Sequence, residues 1–250
     1  GSEMCIRDSC GWMLDSYRFL CEVSLKIPGA QRITGKPAHM RIFWYYLGLG
    51  VFLLAIYACA RRNEKHKDCR ETADLCVSRR KKRLQGIVFS CFIAFLLLFL
   101  LFPQKKSFEI DFLDVGQGDG IYLCTGGGTS MFIDGGSTDV KQVGKYRILP
   151  FLKAKGVSEI SYWFVSHTDT DHVSGLKEVL VSGYRVEYLV FAKAVEKEAK
   201  TKELAELARS HGTKVLYMQA GDTVRSKRAA MRCLYPKASD KAEDVNDLCL

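Results

Sequence analysis

Paired cysteines are missing from this sequence. The ten cysteines stand at positions 5, 10, 21, 59, 69, 76, 91, 124, 233 and 249, with no CxxC among them. That spacing excludes a zinc ribbon and a disulfide framework, and leaves them as small apolar residues or free thiols. Histidine is scarce, with five in 250 residues, so two inside one short window carry information. A phosphate loop is absent too. The triplet Gly126-Gly127-Gly128 is followed by no GK[ST] and opens no helix, which leaves a hairpin turn. Residues 104–250 lack the clustered basic and aromatic side chains of a single-strand groove.

Charge is missing from two long runs, Ile42 to Ala60 and Leu84 to Gln104. Each is long enough to cross a hydrocarbon core of about 30 Å as a helix. Trp44, Tyr45 and Tyr46 sit at one end of the first run, as interfacial aromatics do. Buried core helices are the alternative, and the flanking Arg61-Arg62 and Arg79-Arg80-Lys81-Lys82-Arg83 argue against it. The formal charge of +9 is unevenly spread, with an excess of +2 over residues 1–60, +6 over 61–84 and +1 over 104–250. The basic pI is therefore no argument for DNA binding by the C-terminal part. By the positive-inside rule the 61–84 segment faces the cytoplasm, and everything after the second run lies outside it. Cys69 and Cys76 then stay reduced.

The expected organisation follows. Residues 1–38 form an N-terminal segment, 39–60 a transmembrane helix, 61–86 a basic cytoplasmic loop, 87–103 a second transmembrane helix, and 104–250 a folded domain. In the first segment, Trp12 to Ile27 reads as an amphipathic helix ended by Pro28-Gly29. It suits either the membrane interface or other helices. Gly1 to Ser9 carries no pattern and does not read as a signal peptide. From Ser107 onward, strands are predicted at 108–112, 120–124, 130–133, 160–165, 186–191 and 213–218. Helices are predicted around 140–155, 172–181 and 196–211. Strands first and βα alternation afterwards indicate a layered α/β domain.

Four elements of that domain carry possible chemistry. Asp114-Val115-Gly116-Gln117-Gly118-Asp119 follows a strand and alone reads as a glycine-rich turn. Phe132-Ile133-Asp134-Gly135-Gly136 ends a strand in a carboxylate and two glycines. His167-Thr168-Asp169-Thr170-Asp171-His172 lies between a buried strand and a helix. A loop of helix-capping aspartates explains the carboxylates there but not the two imidazoles. His211, at a helix end before Gly212, is best read as a residue favourable to the helix dipole.

In order, FLDVGQGD, FIDGG and SHTDTDH followed by VSGL resemble the metallo-β-lactamase superfamily. More narrowly they resemble the extracytoplasmic hydrolase domain of ComEC-type DNA-internalisation competence proteins. The superfamily pattern is HxHxDH, and Asp169 stands at its second histidine. The resemblance implies an αββα sandwich, truncated here, preceded by two transmembrane helices. It implies that His167, Asp169, Asp171 and His172 are metal ligands and that Asp171 also orients an attacking water. Asp114 and Asp134 are then expected behind the ligands, fixing histidine orientation. His167 and Asp169 suit one ion and Asp171 and His172 a second. Two ions about 4 Å apart can share a hydroxide and clamp a phosphodiester. Aspartate in place of histidine hardens the site, so Mn²⁺ is expected to compete well with Zn²⁺.

The superfamily's later ligands have no match here. Ala242 to Leu250 resembles the strand just before a bridging aspartate, and an upstream channel bundle is not seen. The chain is thus expected to be a piece of a bacterial multi-pass membrane protein for DNA uptake. Its extracytoplasmic domain would be a phosphodiesterase acting on the non-imported strand, with DNA, the lipid bilayer and other uptake components as partners. The chain alone is expected to bind metal weakly and hydrolyse little. Two alternatives stand beside this reading. One is a membrane-tethered hydrolase of another ester, and the other is a non-catalytic DNA-transport subunit with a degenerate hydrolase fold.

Overall fold

The structure, a computed structural model, describes residues 2–27, 32–65, 75–102, 106–225, 229–237 and 240. The chain divides into two compact units, Gly1–Ile33 and Thr34–Leu250. The first is one helix, α1 (Ser2–Leu25), which extends well upstream of the amphipathic stretch expected over 12–27. Its last turn closes with Ser24 Oγ donating to Leu20 O at 2.7 Å and Lys26 N–H to Val23 O at 3.1 Å. Trp12, Met13, Leu14, Tyr17, Phe19 and Leu20 are exposed on it. Pro28 and Gly29, expected to stop the helix, lie outside the described residues.

The second unit begins with a helical hairpin, α2 (His39–Lys65) and α3 (Leu75–Leu101). Phe52 of α2 stacks on Phe89 and Phe92 of α3, with ring centroids 5.5 and 4.2 Å apart. At the other end Arg41 Nη1 donates to the Phe102 carbonyl at 2.5 Å, one of the carbonyls that a helix end leaves unpaired. Both helices extend into the segment expected to be a loop over 61–86. Arg79 to Arg83 stand on helical backbone, which long unbranched basic side chains favour. By length and composition α2 can cross a membrane over His39–Ala58, with none of that stretch buried, whereas the apolar part of α3 over Gly86–Leu101 is shorter.

The remainder is a six-stranded sheet in the order β1 (Glu109–Phe112), β2 (Gly120–Cys124), β3 (Ser130–Asp134), β4 (Glu159–Phe164), β5 (Arg185–Ala192), β6 (Lys214–Met218). β1, β2 and β3 run antiparallel, joined through short turns. The glycine triplet makes the β2–β3 turn, where Thr125 N–H donates to Thr129 O at 2.9 Å. From β3 onward the pairs are parallel, so each link must cross over, and helices supply the crossovers. These are α4 (Leu149–Ala154), preceded by a π-turn over Gly144–Ile148, then α5 (Thr170–Val181) and α6 (Ala199–Ser210).

All three helices pack into one core with the same sheet face. Leu152, Leu176, Val179, Leu180, Leu204 and Ala208 meet Tyr122, Phe132, Trp163, Leu189 and Phe191. Each such side chain taken from water contributes about 1.5–3 kcal/mol, so this layer supplies most of the domain's stability. The opposite face is apolar as well, because Met131, Phe164, Val190 and Met218 lie on the alternate positions of the same strands. A two-stranded ribbon, β7 (Thr223–Arg225) with β8 (Ala230–Arg232), meets it through Val224, Met231 and Cys233. The expected α/β class is thus observed. Among the described residues the architecture is one helical layer, one six-stranded sheet and this ribbon. The stretch 242–250, expected to begin another strand, lies outside the described residues.

Candidate metal centre

The site forms where three loops meet at the sheet rim. β4 delivers the buried Phe164 and Val165, and Val165 N–H donates to Val190 O at 2.9 Å. The chain then leaves the sheet through Ser166 to Asp169 and enters α5. Asp169 has the extended backbone of a helix cap (φ −75°, ψ 158°), but its side chain makes no capping bond.

Asp134 organises the site from behind. It closes β3 in a left-handed conformation (φ 56°), a region that aspartate tolerates better than most residues. Its side chain is 6% exposed. Oδ1 accepts the Ser166 N–H at 2.8 Å, and Oδ2 accepts the Ser166 hydroxyl at 2.7 Å. Oδ2 also faces His172 Nδ1 at 3.0 Å. The Asp134 carbonyl accepts the Trp163 indole N–H at 2.6 Å, fixing the strand end to the core. With Nδ1 protonated towards Asp134, the His172 Nε2 lone pair is directed to the other side, where Asp171 Oδ2 lies 3.6 Å away. This is the carboxylate–histidine arrangement that orients an imidazole for a metal.

Ser166 extends the same relay. Its hydroxyl has one proton, given to Asp134, so it accepts from His167 Nδ1 at 3.1 Å. The two rings then sit with centroids 3.7 Å apart and planes 47° apart. His167, Asp171 and His172 offer ligand atoms within 4.8 Å of one another. Two imidazoles and a carboxylate suit a divalent ion, zinc through the imidazoles or the harder manganese through the carboxylate. Asp119, Asp134 and His172 also converge, but Asp134 is already accepting three bonds and His172 Nδ1 is committed to it. The first set is the better donor set.

Two expected residues are placed differently. Asp114 does not stand behind the ligands; it is 83% exposed and pairs with Arg147 at 3.3 Å. The carboxylate of that loop near the site is Asp119, whose Oδ2 lies 3.8 Å from His172 Nδ1. Nothing in the pattern of one turn containing two aspartates distinguishes them. Asp119 immediately precedes β2, and its N–H donates to Asp171 O at 3.3 Å. Asp169 belongs to neither converging set. Its Oδ1 accepts from Lys200 Nζ of α6 at 2.9 Å, and this ammonium holds its carboxyl below the usual carboxylate range.

The glycines of the first two motifs let the loops meet. A Cβ on Gly118 would lie 2.4 Å from Gly136 O and 2.5 Å from Asp171 O. Gly136 N–H donates to Asp119 O and Leu176 N–H to Gly135 O, each at 3.2 Å. Ser137 N–H donates to Ser174 Oγ at 2.9 Å. Asp139, not singled out in the sequence, holds the 116–118 turn by accepting from Gln117 N–H and Ser137 Oγ, both at 2.8 Å. Those bonds, the Gln117 N–H first, keep its carboxyl below the usual range. His211 caps α6, its Nδ1 lying 2.9 Å from Leu207 O, at the helix end where the sequence places it.

No protein-family model matches the chain. Over 188 residues it is 27% identical to ComE operon protein 3 of Bacillus subtilis, a match covering 69% of the chain and 24% of that protein. Over 106 residues it is 31% identical to Recombination protein 2 of Haemophilus influenzae, covering 42% of the chain and 13% of that protein. The matches thus span about a quarter and about an eighth of the lengths of these relatives. In sequence, this chain is similar to the ComEC-type competence proteins over most of its length.

Proposed function

We propose that this chain is the membrane-anchored, hydrolase-bearing part of a DNA-uptake protein, and that its 104–250 domain cleaves phosphodiester bonds of the strand that is not imported. The observation that carries the reading is the convergence of His167, Asp171 and His172 in front of Asp134. His167 and His172 would hold a divalent ion, zinc or manganese, with Asp171, and Asp169 would join them only when released from Lys200. When bound, such an ion supplies a Lewis acid and a water of lowered pKa. Asp171 would orient that water, and Asp134 and Ser166 keep both imidazoles aimed at the centre.

The second apolar face of the sheet supports a metallo-β-lactamase-like sandwich. Ile110 and Phe112 of β1, exposed, continue the stripe formed by Leu123, Ile133, Tyr162 and Leu216, a surface suited to a second sheet. Membrane insertion by both α2 and α3 is supported by their exposed apolar surfaces, including Phe43, Trp44, Val51, Leu54, Phe95 and Leu98. The Arg79 to Arg83 run favours the cytoplasm for the far end of the hairpin, which supports an extracytoplasmic position for the domain. A reporter active only outside the cytoplasm, fused after Leu250, should be active; activity of a cytoplasmic reporter alone would reverse this orientation.

The site is tested by calorimetric titration of the detergent-purified chain with Mn²⁺ and Zn²⁺. His167→Ala, Asp171→Asn and His172→Ala should each weaken binding by about tenfold or more, while Asp114→Asn leaves it unchanged. The chain alone should cleave labelled single-stranded DNA only slowly, in a divalent-ion-dependent way, and this residual cleavage should be lost in His172→Ala. Cleavage undiminished by that substitution would sink the nuclease reading.

A further inference from the structure

Asp169 is the one carboxylate of the His/Asp run that is drawn away from the converging donors. The group that draws it comes from a distant element, since Lys200 stands in the first turn of α6, beyond β5. Its ammonium meets Asp169 Oδ1 at 2.9 Å. The two side chains are 69% and 46% exposed, so the contact is an open, reversible ion pair and not a buried lock. Among the described residues, Lys200 is the one side chain that forms a hydrogen bond or ion pair with the Asp169 carboxylate. As the cap residue of α5 it makes no side-chain capping bond, and its backbone carbonyl alone receives the His172 and Val173 N–H groups at 3.0 and 3.1 Å. The backbone that carries Asp169 is therefore fixed by the helix, and its carboxylate is free to choose between Lys200 and a cation at the neighbouring imidazoles.

We propose that Lys200 is a positioning residue that competes with the metal for Asp169, so that the ion pair sets whether the centre has three protein ligands or four. The inference rests on the metal-centre reading above. It explains why a carboxylate at a ligand-spaced position lies outside both converging sets. It also gives α6, which supplies no ligand, a means of tuning the site. An exposed pair of this kind changes an equilibrium by up to about fivefold, so Lys200 acts as a bias and not as a switch.

The test is a double-substitution cycle read as Mn²⁺ affinity by calorimetry on the full chain in detergent. Lys200→Met should tighten Mn²⁺ binding by about two- to fivefold, and Lys200→Arg, which keeps the pair, should leave it near the wild-type value. Asp169→Asn alone should change affinity by less than about twofold. In the Lys200→Met background it should remove the whole gain. A gain from Lys200→Met that survives undiminished in Asp169→Asn would mean a bare charge effect and would overturn the proposal, as would no gain at all. If Asp169→Asn weakens binding strongly while Lys200 is intact, Asp169 is already a ligand and the proposal fails while the metal centre stands. Absence of Mn²⁺ binding in every variant, wild type included, overturns the centre and this inference together.

Discussion

Asp134→Asn should lower divalent-metal affinity by about 10–100-fold, the range seen when the carboxylate behind a metal-binding histidine is removed. The substitution keeps volume and leaves the three proposed ligands untouched. What it removes is acceptor capacity. The carboxylate takes the Ser166 N–H, the Ser166 hydroxyl and the His172 Nδ1 at 2.8, 2.7 and 3.0 Å, and an amide has one oxygen to offer where there were two. Whichever way the amide turns, its NH₂ group confronts a donor in a site only 6% exposed. The simplest escape is for His172 to change tautomer, which directs the proton at the metal. One unsatisfied buried donor also lowers stability by about 1–3 kcal/mol. Calorimetric titration with Zn²⁺ and a denaturant melt measure the two effects separately. Unchanged metal affinity in Asp134→Asn would mean that His172 is not oriented by this carboxylate.

Gly136→Ala should be the more damaging change to the fold. A Cβ there would lie 2.4 Å from the Asp171 carbonyl carbon, 2.4 Å from Thr170 O and 2.5 Å from His172 N. All three are backbone atoms at the start of α5, so no side chain can swing aside. The loop after β3 must separate from α5, breaking the Leu176 N–H bond to Gly135 O and the Ser137–Ser174 pair. A loss of about 3 kcal/mol or more is expected, above the usual range for overpacking because only main chain can move. That corresponds to a melting point lower by about 6–12 °C. Gly183→Ala is the control that separates space from conformation. Gly183 has φ +76° but no atom within 4 Å of the added Cβ, so the left-handed backbone alone should cost about 1–2 kcal/mol. Equal melting points for Gly136→Ala and the parent chain would show that the loop after β3 does not pack against the start of α5.

The strands and helices were legible because their burial is periodic. β2 alternates strictly between the two cores, and α5 and α6 place Leu176, Val179, Leu180, Leu204 and Ala208 on one side. The helical hairpin was less legible at its far end. Charge suggests a loop there, yet Lys and Arg are good helix formers and α3 begins ahead of the Arg79 to Arg83 run. Of the candidate site, His167, Asp171, His172 and Asp134 were legible as residues clustered at strand ends. Asp119, Ser166 and Asp139 were not, since an aspartate or serine in a glycine-rich turn has an adequate local explanation.

The order of elements, the apolar runs before the domain and the window that holds both imidazoles can be read from the amino-acid sequence. Those depend on neighbours along the chain, where spacing alone says which face a side chain takes. Which carboxylate serves which partner depends instead on long-range packing. Asp114 and Asp119 are five positions apart in one loop, yet Asp114 faces Arg147 in solvent while Asp119 approaches His172. Asp169 and Asp171 are two apart, yet α6 brings Lys200 to one and leaves the other beside the imidazoles. A carboxylate's role is set by the charge and donors that long-range packing brings within about 4 Å, and local spacing carries no record of them.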